Sequence, residues 1–169
     1  MQTTNAKLFQ VREMRLEDLA AVYALGEAVF TADKWPSLYR TWDEYEPISL
    51  FSTDGEFCFV ADQSGQLAGF ALGSLIEKRN SAWSYGYLTW LAVDPKYKRL
   101  KVATQLIDTV TDAYIRAGAR MMIVDTDAEN SSAISFFRHH GFTHEDRHVY
   151  LSKNLTAHPG YRRLRRRKD

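Results

Sequence analysis

Lys96, Lys98, Arg99 and Lys101 put four cations into six positions of "KYKRLKVATQ", directly ahead of the strongest helical pattern in the chain. The first turn of a helix leaves its N–H groups unpaired and carries about half a positive charge. A phosphate held there gains roughly 0.3–2 kcal/mol from the dipole, and direct amide hydrogen bonds and flanking cations add to it. A basic turn that is merely solvated is the competing account. Further on, "IVDTDAEN" places Asp125, Asp127 and Glu129 around the end of a short apolar run. Asp125 and Asp127 share a side if the strand persists that far. His139, His140, His144 and His148 span a helix end and a strand with no cysteine or carboxylate at ligand spacing, so no metal is expected. No Ser-His-Asp or Cys-His arrangement is readable.

The elements that must position these residues follow from periodicity. "FQVREMR" (9–15) reads as a first strand, and "LEDLAAVYALGEAVF" carries a helical stripe. The aromatic stretch "TADKWPSLYRTWDEYEP" reads as a short helix or loop bounded by Pro36 and Pro47. "EFCFVADQ" and "QLAGFALGSLIEK" are strands joined by a Ser64-Gly65 hairpin. In "AWSYGYLTWLAVDP", simple alternation puts Tyr85, Tyr87, Thr89, Leu91 and Val93 on one face and Trp90 and Ala92 on the other. Val102, Ala103, Leu106, Val110, Ala113, Tyr114 and Ala117 then recur at threes and fours up to Gly118, a helix expected to begin near Leu100. "RMMIVDTD" is a short strand, "SSAISFFRHHGF" a helix ending at Gly141, and "THEDRHVYLSKNL" a final strand. This order predicts a mixed α+β sheet with helices on both faces, a three-layer α/β/α arrangement.

Composition bounds the class. The 169 residues are 45% hydrophobic and 25% charged, enough for one soluble domain with a sizeable core. No apolar run approaches the roughly 20 residues of a membrane span. The first ten residues lack a basic region followed by an apolar core, so no secretory signal is expected. Cys58 is the one cysteine, which excludes an internal disulfide and fits a reducing compartment; cytoplasm is the expectation. The net charge of +1 hides a tail, "YRRLRRRKD" (161–169), with six of the 22 cations and one of the 21 acids, leaving 16 cations against 20 acids elsewhere. Residues 1–158 are therefore read as the domain and 159–169 as a basic, flexible tail. Contact with nucleic acid through that tail is unlikely, because nothing periodic or aromatic in it supports such reading.

Two segments carry a resemblance. "LAVDPKYKRLKVATQLI" is similar to the acetyl-CoA-binding core of the GNAT N-acetyltransferase superfamily, V-x-P-x-[YF]-[RQ]-x-x-G-x-[GA]-x-x-L. Val93, Pro95 and Tyr97 match, Lys98 stands at the Arg/Gln position, and Ala103 and Leu106 match the helix. "NSSAISFFRHHGF" resembles the second family element, with Asn130, Ala133, Phe136, Phe137, Gly141 and Phe142 in register. With the element order, the likeness covers residues 9 to 155. It implies a mostly antiparallel sheet of six to seven strands, splayed between the fourth and fifth, flanked by about four helices. It also implies an enzyme that moves acetyl from acetyl-CoA, a cosubstrate, to a primary amine on a small molecule or on a protein N-terminus or lysine, within a ternary complex.

By the same resemblance, Leu91, Ala92 and Val93 meet the pantetheine arm, and the Val93 amide stabilises the oxyanion. Lys98, Arg99, Leu100, Lys101, Val102, Ala103 and Thr104 cradle the diphosphate. Asn130, Phe136 and Phe137 complete the cofactor set, Phe137 beside the thioester. Two positions depart from the family pattern. Lys101 replaces a glycine: at φ > 0 a lysine costs roughly 1–2 kcal/mol, whereas in right-handed backbone it would point outward and add charge near the phosphates. The expectation is a working loop. Phe137 stands where many relatives have a tyrosine that protonates the thiolate, and Tyr97 and Tyr150 have no motif behind them as replacements. Asp125 is the expected general base, acting through water. Trp35, Tyr39, Trp42, Tyr45, Tyr85 and Tyr87 are expected to wall the acceptor pocket, and acids nearby favour a cationic amine. A non-catalytic CoA-binding protein and an RNA-associated module are the rival readings. The last strand, as a free edge, would suit a homodimer.

Overall fold

A computed structural model describes residues 9–31 and 41–165. Five strands form one sheet in chain order: β1 (Gln10–Glu13), β2 (Cys58–Gln63), β3 (Gln66–Glu77), β4 (Ser84–Val93) and β5 (Met121–Val124). The first four pair antiparallel and β5 runs parallel to β4. The β2–β3 turn uses Ser64 and Gly65 at φ 52° and 85°, the left-handed pair that a two-residue hairpin requires. A parallel neighbour needs a crossover, and α3 (Val102–Arg116) provides it. Helices α1 (Leu19–Val29) and α2 (Tyr45–Asp54) precede the hairpin, and α4 (Ser131–His139) and α5 (Pro159–Arg165) follow β5.

Two cores flank the sheet, which makes the predicted three layers. On one face Phe57, Phe59, Ala71 and Leu88 pack against Val102, Leu106, Val110 and Tyr114 of α3, with Phe136 and Phe137 of α4 at the margin. On the other, Val22 of α1 and Trp42 pack against Val60, Phe70, Leu72 and Trp90. Tyr114 lies across β3 and β4 in room left by two glycines. A Cβ on Gly73 would sit 2.0 Å from its Oη, and one on Gly86 2.3 Å from its Cγ. Its hydroxyl donates to the Tyr87 carbonyl at 2.9 Å, and burial pushes the phenol pKa up.

Among the described residues the sheet has five strands, not six or seven. Residues 143–155 form no strand. Their charges instead pair locally: Arg138 with Glu145 at 2.5 Å, Arg147 with Glu145, and His144 with Asp146. Val149, Leu151 and Leu155 share a parity, but they and Tyr150 are all exposed, so no layer covers that row. Among the described residues there are five α-helices rather than four. Helix α2 contains Pro47, read above as a boundary, because proline in a first turn loses only an N–H with no intrahelical partner. Asp43 Oδ1 accepts from the Tyr45 and Glu46 amides and supplies its start. The tail, expected to be flexible, is helical as α5 from Pro159 to Arg165. Trp35, Pro36, Tyr39 and the tail beyond 165 lie outside the described residues.

One irregularity sets up the site. Leu72 pairs with Trp90 but Gly73 with Leu88, so Thr89 is an extra residue in β4. Such a bulge shifts the side-chain alternation by one. Leu88 faces α3, yet so do Leu91 and Val93, while Trp90 and Ala92 face α1 and α2. Tyr85 and Tyr87 therefore do not share a face with Leu91 and Val93, as unbroken alternation had implied.

Candidate active site

The β4–β5 ladder runs from Tyr85↔Met121 to Leu88↔Val124 and stops, while β4 continues to Val93. The strands thus part between the fourth and fifth, with the opening beside Thr89–Val93. The Asp94 amide bonds to the Ala68 carbonyl of β3 at 2.9 Å. Because backbone groups alternate along a strand, those of Val93 and Leu91 point the other way, into the opening. A cleft of about 1140 Å³ follows this open edge, roomy enough for a large cosubstrate beside a second molecule.

At one end the cleft meets the basic loop. Asp94 turns the chain by accepting from the Lys96 amide at 2.9 Å, and Tyr97 is fixed by Phe9 (ring centroids 5.5 Å) and by its hydroxyl at Gln66 Oε1, 3.2 Å. Arg99 and Lys101 both adopt left-handed backbone, at φ 66° and 62°. Lys101 is therefore in the strained alternative, which costs about 1–2 kcal/mol per residue. It does not sit in right-handed backbone. Strain of this kind persists where surrounding structure over-determines it, commonly at ligand sites. Helix α3 begins at Val102, two residues later than expected, so the amides of Val102, Ala103 and Thr104 form its unpaired first turn. Lys98, Arg99, Lys101, Val102, Ala103 and Thr104 all line the cleft; Leu100 does not. Of the strand residues, Leu91 and Val93 line it and Ala92 is buried on the opposite face.

The middle is built from β5 and α4. Asn130 caps α4, its Oδ1 accepting from the Ala133 amide at 3.2 Å and its Nδ2 donating to Thr126 Oγ1 at 3.1 Å. Phe136 and Phe137 line the wall, Phe137 braced edge-on by Phe142 at 5.4 Å. Asp125 also lines the cleft and accepts from the Tyr87 hydroxyl at 2.8 Å. The strand ends at Val124, so Asp125 and Asp127 are not a matched pair. Asp127 is exposed and accepts from the Glu129 amide in its own turn. Tyr150 is exposed, in the segment without a strand.

The far end is an aromatic wall that sequence reading captured only through Trp42. Phe30, Trp42 and Trp90 have ring centroids 4.8–5.4 Å apart, and Trp42 stacks on Phe70. Trp42 Nε1 donates to the Tyr23 carbonyl at 3.1 Å, and Trp90 Nε1 to Glu46 Oε2 at 2.8 Å. Glu27, Thr31 and Thr41 stand beside this wall. Glu27 accepts from Tyr23 one turn back, which pushes the Tyr23 phenol up. Tyr45, Tyr85 and Tyr87 are not part of the lining. One signal for the wall was present: Gly26 in mid-helix, where a Cβ would lie 2.0 Å from Trp42 Cε2. The cleft is thus electrically divided, with cations at the loop and carboxylates away from it, Asp125 and Asp127 in the middle and Glu27 beside the aromatic wall.

Among the described residues, no group of three His, Cys, Asp or Glu side chains could hold a metal ion, and no helix is long and apolar enough to cross a membrane. The sequence pattern of the Acetyltransferase (GNAT) family matches residues 27–142. N-alpha-acetyltransferase 30 of Xenopus laevis is 26% identical over 113 residues, 63% of this chain and 41% of that protein. The chain therefore spans less than half the length of that curated relative. An aminoglycoside acetyltransferase, meta-AAC0020, from an uncultured soil metagenomic sample superimposes with a TM-score of 0.69 at 22% identity, covering 89% of this chain and 98% of the other. AAC(6')-Iy in complex with a CoA-containing bisubstrate analogue does so with a TM-score of 0.67 at 23% identity, covering 86% and 98%. At these identities the superpositions speak to the fold.

Proposed function

The chain belongs to the GNAT acetyltransferase family, and on that premise we propose that it transfers the acetyl group of acetyl-CoA directly to a primary amine. The observation that carries this reading is the single cleft that joins the basic loop, the open edge of β4 and the carboxylates. The amides of α3's first turn with Lys98, Arg99 and Lys101 would hold the diphosphate, and the main-chain groups of Leu91 and Val93 the pantetheine arm. The thioester would then lie between Val93 and Phe137. Holding amine and thioester in one complex supplies proximity. The protonated amine first releases one proton to solvent; its lone pair then forms the new N–C bond, and the Val93 N–H stabilises the oxyanion. The C–S bond breaks with its electron pair on sulfur, and the surplus amine proton passes through water to Asp125. Phe137 offers no proton, so solvent protonates the thiolate, whose thiol pKa near 8.5 makes it a tolerable leaving group.

The acids away from the basic loop favour a cationic acceptor. The relatives' names point to protein N-termini and to aminoglycosides, both amines that are protonated in water. We place the enzyme in the cytoplasm, with residues 1–158 as the transferase domain and 159–169 as an appended basic tail; the homodimer expected through a last strand loses that edge, because residues 143–155 form no strand. Phe137 and the strained Lys101 favour one alternative, a protein that binds CoA without turning it over. A thiol-release assay with acetyl-CoA and a panel of primary amines, run beside thermal shift with CoA, separates the two. Release that depends on an amine supports transfer, stabilisation by CoA without release supports the alternative, and neither response refutes both.

A further inference from the structure

Asp125 is the first residue past the last β4–β5 pair, Leu88↔Val124, so its backbone is no longer held by the ladder. Its side chain is nevertheless tied to that ladder. Tyr87, two residues diagonal to it across the Tyr87↔Ile123 pair, donates its hydroxyl to Asp125 Oδ1 at 2.8 Å. Tyr87 is itself anchored from the opposite face, because Tyr114 of α3 donates to its carbonyl at 2.9 Å through the slot that Gly73 and Gly86 leave open. The bulge at Thr89 begins immediately beyond, so Tyr87 occupies nearly the last regular position before β4 changes phase. The helix whose first turn faces the basic loop is thereby connected, through two hydrogen bonds and one strand residue, to the carboxylate in the middle of the cleft.

We propose that Tyr87 is a positioning residue for acetyl transfer, holding the Asp125 carboxylate toward the acceptor nitrogen. This rests on the transferase reading and on Asp125 as the base that takes the amine proton. Tyr87 keeps its own proton throughout and does not line the cleft. A carboxylate released from this contact can still accept a proton, but it spends less of its time within reach of one. The loss should therefore fall on turnover and not on cosubstrate binding.

The test compares the full-length wild type with Tyr87→Phe, Asp125→Asn and the double variant, using spermidine and a lysine-containing peptide amide as probe amines. Tyr87→Phe is expected to lower kcat about 10- to 100-fold, the worth of one hydrogen bond to a charged group, with KM for acetyl-CoA unchanged. The double variant should be no slower than Asp125→Asn alone, since the tyrosine acts only through the aspartate. An independent readout needs no turnover: the 13Cγ resonance of Asp125 should move in Tyr87→Phe while the remaining carboxylate resonances stay. Wild-type kcat in Tyr87→Phe, multiplicative losses in the double variant, or an unmoved resonance each overturn the proposal. If wild type acetylates neither probe while the resonance moves, the contact is real and the transferase reading has failed for these amines, taking the catalytic role with it.

Discussion

Replacing Lys101 by glycine tests the loop more sharply than any other single change. Lys101 sits at φ 62°, ψ 20°, one residue before α3. Relief of the left-handed penalty is worth about 1–2 kcal/mol, and the greater freedom of glycine in the unfolded chain takes back about 0.5–1 kcal/mol. The net gain is about 0.5–1 kcal/mol, or roughly 1–4 °C in Tm for a chain of this size. Affinity for CoA should move the other way. If the loop is already folded before CoA arrives, the strain is present in both states and cancels, leaving only the lost cation. An exposed charge contact contributes roughly 0.2–1 kcal/mol, up to about fivefold in Kd. Lys101→Ala separates the two effects, since alanine keeps the strain and loses the charge. It should weaken CoA equally without raising Tm. Thermal unfolding and calorimetric titration at ~0.1 M and ~1 M salt make the comparison, and the affinity difference should shrink as the screening length falls from about 10 to about 3 Å. A glycine variant no more stable than the alanine one would refute the strain argument. A gain of tenfold or more in affinity would show that the loop is strained only on binding.

Other substitutions probe the scaffold. Gly26→Ala drives a methyl into Trp42, so it should cost about 1–3 kcal/mol, seen in denaturant unfolding, and red-shift tryptophan emission as the buried ring is pushed toward water. Asp18 takes a two-pronged bond from Arg12 at 2.6 and 2.8 Å and one from the Arg15 amide, and the Arg12 guanidinium above all holds its carboxyl below the usual range. A depressed carboxyl contributes stability above its unfolded pKa of about 3.9 and loses it as pH falls through the folded value. Asp18→Asn should therefore unfold at lower temperature near neutrality, and the gap to wild type should close in acid below about pH 4. Cys58 is fully buried and its thiol is pushed up to about 12. Thiol reagents at pH 8 should label it only after denaturation, and native stability should decline as pH climbs above the unfolded thiol pKa of about 8.5.

Local chemistry was legible, and long-range geometry was not. The Ser64-Gly65 hairpin and the α3 stripe each depend on residues a few positions apart, so pattern reading found them. The basic loop and Asp125 were found by type and spacing, and both line the cleft. Helix α2 was hidden by Pro47, whose ring is harmless in a first turn but reads as a break. The segment 143–155 alternates enough to suggest a strand, yet its Val149, Leu151 and Leu155 stay exposed. The sign of φ at Lys101 could not be read, because its backbone is set by α3 and the Pro95 turn around it. Glu27, Phe30, Thr31 and Thr41 reach the site only because α1 folds across β4, and Gly26 is the one nearby signal of it.

The extra residue at Thr89 has a consequence for how such chains can change length. Deleting one position between Leu88 and Trp90 would restore unbroken alternation and let β4 hydrogen-bond normally along its whole course. The pairs Leu72↔Trp90 and Gly73↔Leu88 would become consecutive, with Leu88, Leu91 and Val93 still facing α3 and Trp90 and Ala92 still facing α1 and α2. Only the local twist and the unpaired backbone of the bulge would be lost. A single-residue gap at Thr89 should therefore spare both walls of the cavity, and a deletion scan along β4 would show its greatest tolerance there.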